Sequence, residues 1–318
     1  MIKLIVMISL FLFAINTSFA VKNIDASFNE LYKKATQQND AEAQFYLGRM
    51  YYNGQGVKQD LTKAKEWFEK ATEQHHMSAQ AFLGAMYFFG EGVDKDRQKG
   101  KELIEESALS GDSIGQFNFG YLYEEAPPKK THKGIEKNID DNGFYQDFIK
   151  AREWYEKAAQ QGNMQATYNL GVLYANGRGV KKNLFKARKY YEIAVKGGDP
   201  YAKYNLAIMY FNGEGGLTKD FAKGIKLEIE AANQGVALAQ YYLGMSYYEG
   251  TYFEQDYNYA RELFEFAAAQ NEAGSQYMLA IIYEQGLGVD KDPKRARHYY
   301  YLACKNGYKK SCTHANAN

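Results

Sequence analysis

The stretch YYNGQGV, residues 51–57, ends an apolar run with a glycine, a spacer, a second glycine and a valine. The same glycine phrase returns as YFFGEGV at 87–93, YANGRGV at 174–180 and YEQGLGV at 283–289. A phosphate-binding glycine loop is normally built once, and this phrase lacks the Lys-Ser/Thr ending and the preceding strand of such a loop. The recurrence therefore indicates architecture rather than one active site.

Alignment on the glycine phrase divides the chain into seven units, most of them 36 or 37 residues long. The third unit, 113–163, carries about 15 extra residues. A fixed period of roughly 20–50 residues is typical of a solenoid. The units begin at Asp40, Met77, Ser113, Met164, Pro200, Ala237 and Ala273.

Each unit reads as two helices joined by the glycine phrase. In the first unit, AEAQFYLGRMYY and LTKAKEWFEKATEQ both carry apolar residues at helical spacing. Gly54 and Gly56 are expected to end the first helix in a positive-φ turn, and Asp60 to cap the second. Gly48, inside the first helix, predicts close packing of the paired helix, because glycine costs about 1 kcal/mol relative to alanine there.

These features predict an all-α, right-handed α/α superhelical solenoid of about seven helix-pair repeats. The pattern resembles the Sel-1-like repeat family, which is related to the tetratricopeptide repeats. The resemblance covers about residues 26–312 and implies a scaffold that binds other proteins, without naming the partner. The matching residues in the first unit are Leu47, Gly48, Tyr51, Gly54, Gly56, Val57, Lys63, Ala64 and Trp67.

The amino terminus has the pattern of a cleaved signal peptide. Lys3 precedes an apolar stretch, and Ser18-Phe19-Ala20 has the small-x-small cleavage pattern. The apolar stretch is shorter than the roughly 20 residues that span a bilayer. We therefore expect cleavage after Ala20, a mature chain without a membrane span, and a periplasmic or secreted protein.

The remaining chain divides as follows. Residues 21–39 are expected to form an amino-terminal capping helix, 40–312 the repeat solenoid, and 313–318 a short tail. The third unit replaces the glycine phrase with a charged insert at about 125–148 that begins near a proline pair, which predicts a projecting loop. The unit at 237 replaces the phrase with GTYFEQ, which predicts an altered turn.

Composition limits the classes of partner. The full chain has 39 basic and 38 acidic residues, so removal of Lys3 with the signal peptide leaves equal numbers. A neutral chain has no broad electrostatic reason to bind nucleic acid or an anionic membrane. The five histidines and the carboxylates show no zinc spacing and no nucleophile motif. We expect no metal, no cofactor and no catalysis.

One alternative comes from Cys304 and Cys312, which lie eight residues apart. Their spacing is similar to that in the secreted Helicobacter cysteine-rich proteins, a Sel-1-like group associated with penicillin binding and β-lactamase activity. That resemblance implies a disulfide and an oxidising compartment. Two unpaired thiols are the other possibility. The enzyme reading is weaker because the pair occurs once here and no nucleophile can be named.

The expected binding surface is the concave face lined by first helices. Three Asn residues fall at one register of adjacent first helices, where their amides can pair with a peptide backbone, or can bond within the protein instead. We therefore predict an exported, monomeric scaffold that binds a protein or peptide. A cell-wall glycan or peptidoglycan binder is a further alternative. The candidate groove residues are Tyr46, Arg49, Phe82, Asn118, Tyr121, Asn169, Asn205, Tyr242 and Met278.

Overall fold

The computed structural model describes residues 19–126, 131–132, 135–136 and 145–315. Across these ranges the regular structure is helical, apart from a two-stranded antiparallel ladder. The helices follow one another in pairs joined by short turns, and both helices of every repeat contain 13 residues. The predicted all-α architecture of seven helix-pair repeats is confirmed.

Helix α1 precedes the repeats, and the ladder lies between α6 and α7. The first helices of the repeats are α2 (Ala41–Asn53), α4 (Met77–Phe89), α6 (Ser113–Glu125), α8 (Met164–Asn176), α10 (Pro200–Asn212), α12 (Ala237–Glu249) and α14 (Ala273–Gln285). The second helices are α3 (Leu61–Glu73), α5 (Arg97–Leu109), α7 (Phe148–Gln160), α9 (Leu184–Lys196), α11 (Phe221–Asn233), α13 (Tyr257–Ala269) and α15 (Pro293–Lys305). The other elements are α1 (Phe19–Gln37), β1 (Thr131–His132), β2 (Ile135–Glu136), a 3-10 turn (Lys309–Ser311) and α16 (Cys312–Ala315).

The repeats form two compact units, of which one ends at Gly197 and the other begins at Gly198. The amino-terminal unit contains α1 to α9 and therefore four repeats. The carboxy-terminal unit contains α10 to α16 and three repeats.

The glycine phrase forms the turn that the sequence predicts. Gly54 has a φ of 68° and donates its N–H to the carbonyl of Met50, which closes the last turn of α2. Gly56 has a φ of 74°. Asp60 then caps α3, because its side chain accepts a hydrogen bond from the Lys63 N–H at 3.0 Å.

The second glycine of the phrase has an additional function that links repeats. A Cβ on Gly92 would lie 2.4 Å from the Cβ of Leu61, the first residue of the preceding second helix. Gly179 approaches Phe148, and Gly288 approaches Tyr257, in the same way. Only a residue without a side chain lets the turn of one repeat lie on the start of the previous second helix.

The expectation of an altered turn in the repeat at 237 is wrong for its backbone. Gly250 has a φ of 69°, and Thr251 donates to the Ser246 carbonyl at 3.1 Å, as Gln55 does to Met50 in the first repeat. What changes is the second glycine, which is replaced by Tyr252. Its ring lies 6.1 Å from Phe221, the first residue of the preceding second helix. A ring contact therefore takes the place of the close backbone approach.

In five of the seven repeats, a glycine at the eighth position of the first helix lets the paired helix approach; the repeats at 200 and 273 have Ala207 and Ala280 there. A Cβ on Gly48 would lie 2.5 Å from an edge carbon of the fully buried Phe68. Gly120 faces Tyr155, Gly171 faces Tyr191 and Gly244 faces Phe264 in equivalent contacts. The close packing inferred from the recurring glycine is confirmed.

A buried glutamine at the fourth position of many first helices connects three helices. Gln276 donates to the carbonyl of Ala268, at the end of the preceding second helix, at 3.2 Å. It accepts from Asn306, which follows its own second helix, at 2.8 Å. Gln240 makes the same pair of bonds, with Ala232 and Gln270. Each glutamine thus satisfies carbonyl groups that a helix end leaves open and fixes one repeat against the next.

A cation over a tyrosine ring recurs between the two helices of a repeat. Tyr51 lies under the Lys63 ammonium at 5.2 Å, and Tyr87 lies under Lys99 at 3.9 Å. The same pairing of the eleventh residue of a first helix with the third of a second helix recurs in four further repeats. Tyrosine faces in this chain are therefore regular receptors for a basic side chain.

The structure describes the amino-terminal helix and the carboxy-terminal disulfide, but only part of the insert in the third repeat. Helix α1 crosses the predicted cleavage site, and cleavage after Ala20 stays a prediction. Most of the insert expected at 125–148 lies outside the described residues, so the projecting loop stays a prediction. At the carboxyl end, Cys304 and Cys312 form a disulfide with their Cα atoms 4.8 Å apart. The bond joins the end of α15 to the start of α16.

The Gly48 contact predicts an unfavourable response to an added methyl group. Gly48→Ala should lower the free energy of unfolding by about 1–2 kcal/mol, because overpacking against Phe68 outweighs the gain in helix propensity. Chemical denaturation monitored by circular dichroism measures this change. In a double-mutant cycle, Gly48→Ala should cost less in a Phe68→Leu background. Equal costs in both backgrounds would contradict the contact.

The disulfide predicts the thiol content of the mature protein. Thiol labelling under denaturing, non-reducing conditions should detect no free thiol, and labelling after reduction should detect both. Loss of the bond in the Cys304→Ser, Cys312→Ser variant should remove about 2–3 kcal/mol, since a small closed loop no longer restrains the unfolded chain. Two free thiols per unreduced chain would refute the bridge.

Candidate binding surface

The predicted groove residues occupy the sixth or ninth position of the first helices, but the structure does not make them one surface. Tyr46 and Tyr242 are exposed, with 41% and 48% of their surface accessible. Phe82 and Met278 share their register yet are 8% and 7% exposed. Phe82 stacks on Phe68 at 5.1 Å between ring centroids. Phe82 and Met278 belong to the core, and we leave them out of the candidate surface.

The predicted asparagines have polar partners inside the protein. The amide of Asn118 donates to the carbonyl of Ala81, on the preceding first helix, at 3.3 Å. Asn169 hydrogen-bonds to the hydroxyl of the buried Tyr155. Asn205 is half-buried on α10, in the other compact unit. Bonding within the protein is the alternative that the sequence left open, and a role of these amides in binding stays a prediction.

Arg49 and Tyr121 are the remaining predicted groove residues, and both are half-buried. The Arg49 guanidinium lies 5.7 Å from the ring centre of Phe45 and 6.0 Å from that of Phe82. Burial, followed by the charges of Glu125 and Glu124, raises the pKa of the Tyr121 hydroxyl. Both side chains therefore pack against the amino-terminal unit rather than extend freely from it.

The carboxy-terminal unit carries large side chains at the second, fifth and sixth positions of its first helices, which we call the tyrosine patch: Tyr201, Leu238, Tyr241 and Tyr242. Tyr201, Leu238 and Tyr242 are exposed, and Tyr241 is half-buried. Leu238 and Tyr242 are one helical turn apart and share a face of α12. Tyr242 lies 5.0 Å from Tyr241 and stacks on the buried Tyr204 of α10 at 6.3 Å.

A glycine on the next repeat makes room for Tyr241. A Cβ on Gly274, the second residue of α14, would lie 3.0 Å from the Tyr241 ring. The equivalent residues of α10 and α12 are Tyr201 and Leu238, which keep 36% and 46% of their surface exposed. Of the four patch residues, the sequence analysis predicted only Tyr242, because it considered only the sixth and ninth positions of the first helices. Two features of the sequence could have indicated the other three residues: the adjacent pair Tyr241-Tyr242, and the large apolar residue at the second position of α10 and α12.

Negative charge surrounds the patch. Burial is the main reason why the pKa of Tyr241 rises to about 12, and the carboxylates of Glu272 and Glu249 raise it further. Glu272 also acts on Tyr204, beneath the patch. Its carboxylate caps α14 by accepting the Gly274 N–H at 2.9 Å. The Glu272 carboxylate is therefore fixed close to the Tyr241 ring, since both approach the same point beside Gly274.

A buried acid lies under the same region. Glu228 is 5% exposed at the eighth position of α11, where the other second helices have Phe68, Ile104, Tyr155, Tyr191, Phe264 and Tyr300. Burial away from water raises its pKa to about 7. Its charge acts on Tyr204, the ring that supports Tyr242.

Metal ligation finds no support among the described residues, which contain no group of three or more His, Cys, Asp or Glu side chains placed to hold an ion. His76 instead caps α4 through the Ala79 N–H and bonds to Glu42 at 2.9 Å. None of the described helices combines the length and apolar character needed to cross a membrane.

Comparison with known proteins identifies the repeat. The Sel1 repeat family model matches residues 41–76, 78–112, 141–163, 165–199, 200–236, 237–272 and 273–308. A Sel1 repeat protein from Oxalobacter formigenes has a similar crystal structure, with a TM-score of 0.62 and 32% identity. The similarity covers 92% of this chain and 79% of that one. Sel1 repeats are typical of scaffolds for protein–protein interaction.

Two curated relatives share part of the array. A Sel1-like repeat-containing protein of Acanthamoeba polyphaga mimivirus is 33% identical over 48% of this chain, and the match spans 24% of that protein. An ERAD-associated E3 ubiquitin-protein ligase component of Arabidopsis thaliana is 39% identical over 24% of this chain. That match spans 10% of the plant protein. The chain thus corresponds to a minor part of both relatives.

Glu228 predicts a pH dependence of stability. The free energy of unfolding should fall as pH rises from 4.5 to about 7, because the unfolded chain ionises this carboxyl there while the folded chain keeps it protonated. Glu228 contributes at most about 1.4 kcal/mol per pH unit to the slope, in addition to the buried Asp199, whose pKa burial raises to about 6. Glu228→Gln should flatten this profile and be more stable than the native chain at pH 7, as measured by denaturation across the range.

Glu254→Gln serves as the matched control, since Glu254 is exposed in the turn before α13 and its loss should leave the profile unchanged. A Glu228→Gln variant with the native pH profile would show that Glu228 is not the titrating group.

Proposed function

The chain belongs to the Sel1 repeat family, and from this premise we propose that it is an exported scaffold that binds a segment of another protein on its first helices and catalyses no reaction. The tyrosine patch carries this proposal. Its members Tyr201, Leu238 and Tyr242 are large side chains that remain exposed in the carboxy-terminal unit. Tyrosine offers wide contact at a low cost in side-chain entropy, as binding surfaces require.

The relatives support a binding role without naming the partner. The Arabidopsis protein is by its name a component of a ligase assembly, and part of its length matches repeats of this chain. Repeat scaffolds use neighbouring units to contact an extended ligand at several points. Because the match covers only a quarter of this chain, it supports a protein-binding function but does not support membership of a ligase assembly.

Export is supported by two independent features. The amino-terminal sequence has the composition and cleavage pattern of a signal peptide. The disulfide between Cys304 and Cys312 is stable in an oxidising compartment and rare in a reducing one. We propose a periplasmic or secreted protein on these grounds.

Two alternatives have direct assays. Lactam hydrolysis would appear as nitrocefin turnover by the purified mature protein, and the scaffold proposal requires none.

Glycan binding is favoured by the exposed tyrosines, because aromatic faces also fit sugar rings. A pull-down with purified sacculi tests it, and the scaffold proposal requires no enrichment over an unrelated helical protein.

Replacement of two exposed rings should weaken partner capture. In the Tyr201→Ala, Tyr242→Ala variant, the affinity for captured protein should fall by about tenfold or more, because central aromatic residues contribute most to such interfaces. Partners retained by the native chain from a cell-envelope extract are identified by mass spectrometry and then titrated against both proteins. Circular dichroism verifies that the variant is folded.

Phe266→Ala and Tyr301→Ala are the matched controls, since both residues are exposed rings on the second helices α13 and α15 of the same unit. Equal losses from the patch variant and the controls would exclude a specific role for the patch.

A further inference from the structure

We propose that the exposed side of the second helix α15 binds a short acidic segment of another protein, whose carboxylates pair with Arg297 and the lysines around it. This surface, which we call the basic face, shares no residue with the tyrosine patch, so the inference goes beyond the proposed function. The basic face consists of Lys294, Arg297, His298 and Lys305 of α15, and Lys309 and Lys310 of the turn that follows.

The near-neutral charge of the whole chain conceals a strongly basic segment. Six of the 39 basic residues and none of the 38 acidic residues fall within residues 293–318. The rest of the chain is therefore acidic on balance. Every member of the basic face is exposed. In α15 these members recur at helical spacing from Lys294 to Lys305, which places them along one side of the helix.

The carboxylates that balance this side in other repeats are missing from α15. In four second helices, a basic residue at the fifth position pairs with a glutamate at the ninth. In α15 these two positions hold Arg297 and Tyr301, and the Tyr301 side chain is 55% exposed. The sixth position, which is a glutamate in α3, α5, α7 and α13, holds His298. The four ion pairs are Lys65–Glu69 at 2.8 Å, Arg152–Glu156 at 3.6 Å, Arg188–Glu192 at 3.4 Å and Arg261–Glu265 at 3.2 Å.

Two carboxylates bond to side chains of α15, and both do so away from the basic face. Asp292, which caps the helix, pairs with Arg295 at 3.3 Å. Glu284 of α14 accepts a hydrogen bond from the hydroxyl of the buried Tyr300 at 2.8 Å. Across the described ranges, no carboxylate forms an ion pair with a member of the basic face. The charge of this face is therefore open to an external anion.

Helix stability does not account for the positive charge in the first turn of α15. The amino-terminal end of a helix carries partial positive charge, so a basic residue there is unfavourable. Lys294 occupies the second position, which is uncharged in the six other second helices. The pairing of a cation with a tyrosine ring uses the third position, Arg295, and not Lys294. A carboxylate of a partner supplies the counter-ion that the chain itself does not.

The disulfide restrains the carboxyl end of the basic face. Cys304 and Cys312 close a loop that contains Lys305, Lys309 and Lys310. Because the bond fixes this turn to the end of α15, a ligand meets three cations whose backbone is already ordered. Less conformational freedom is then lost on binding.

The repeats themselves indicate a carboxylate as the partner group. The guanidinium at the fifth position binds a carboxylate in α7, α9 and α13, and its planar donors match that group. From Lys294 to Lys305 the helix rises about 16 Å. About five residues of an extended segment span this length, and alternate side chains of such a segment face the same side. Acidic residues at every second position therefore reach successive cations.

A pair of synthetic peptides tests the proposal on the full mature protein. The probe is a seven-residue peptide with Glu at alternate positions and Ser between them, and the control peptide has Gln in place of Glu. Both carry the same fluorescent label, and binding is measured by fluorescence anisotropy at low salt. The Glu peptide should bind about tenfold more tightly than the Gln peptide. This difference should shrink as salt is raised, because exposed charges are screened.

Charge substitutions on α15 identify the site. Arg297→Glu should weaken the Glu peptide by about tenfold. Tyr301→Glu supplies Arg297 with the partner that the other repeats have and should also weaken the peptide, whereas Tyr301→Ala leaves the charges unchanged and should have little effect. Lys226→Glu is the matched control, since Lys226 is exposed on the second helix α11 of the same unit and its reversal changes the net charge equally. Circular dichroism verifies that each variant is folded.

The possible results support or overturn the inference without reference to the tyrosine patch. Equal affinity for the two peptides, or equal losses from Arg297→Glu and Lys226→Glu, would overturn it. Phosphatidylglycerol vesicles or single-stranded DNA that bind through Arg297, without a preference for the Glu peptide, would identify a different anion and would also overturn it. The Tyr201→Ala, Tyr242→Ala variant should bind the Glu peptide as the native chain does, and a loss there would place the acidic segment on the patch and refute the basic face.

Discussion

The contact between a helical glycine and a buried ring sets the distance between the two helices of a repeat. At Gly48 the backbone of α2 meets the ring of Phe68, and a side chain of any size would separate the pair. Because glycine weakens a helix, this arrangement is stable only when the ring fills the space opposite. In the five repeats that have this glycine, the pairing of the two helices, and with it the placement of the first-helix side chains, follows from this approach.

Contacts between repeats follow from the same geometry. The second glycine of the phrase lies on the preceding second helix, and the buried glutamines bond to carbonyls at that helix's end. These positions carry the same residue type in most repeats, because they hold the array together. The second and sixth positions of the first helices carry no such contact in common, and their residue types vary along the array. Binding specificity can therefore differ between repeats without loss of the fold.

Much of the fold could be predicted because each element depends on residues close in sequence. The positive φ of Gly54, the cap at Asp60 and the close approach at Gly48 are all local or one helix apart. Exposure on the first helices was not predictable, because it depends on neighbouring repeats. Phe82 and Tyr242 share a register, but Phe82 is enclosed by Phe45, Tyr52 and Phe68 whereas Tyr242 remains exposed.

The repeat that begins at Pro200 shows how core and surface are coupled in such an array. Its second helix has Glu228 where a ring is usual, and the first helix has Ala207 in place of the glycine. Tyr204 stacks on Tyr242, and burial, with Glu228 among the further causes, raises the pKa of its hydroxyl. Ionisation of Glu228 therefore changes the electrostatics beneath an exposed ring of the patch. Since each repeat contacts mainly its neighbours, this effect passes from α11 to α12 through the stacked pair Tyr204 and Tyr242.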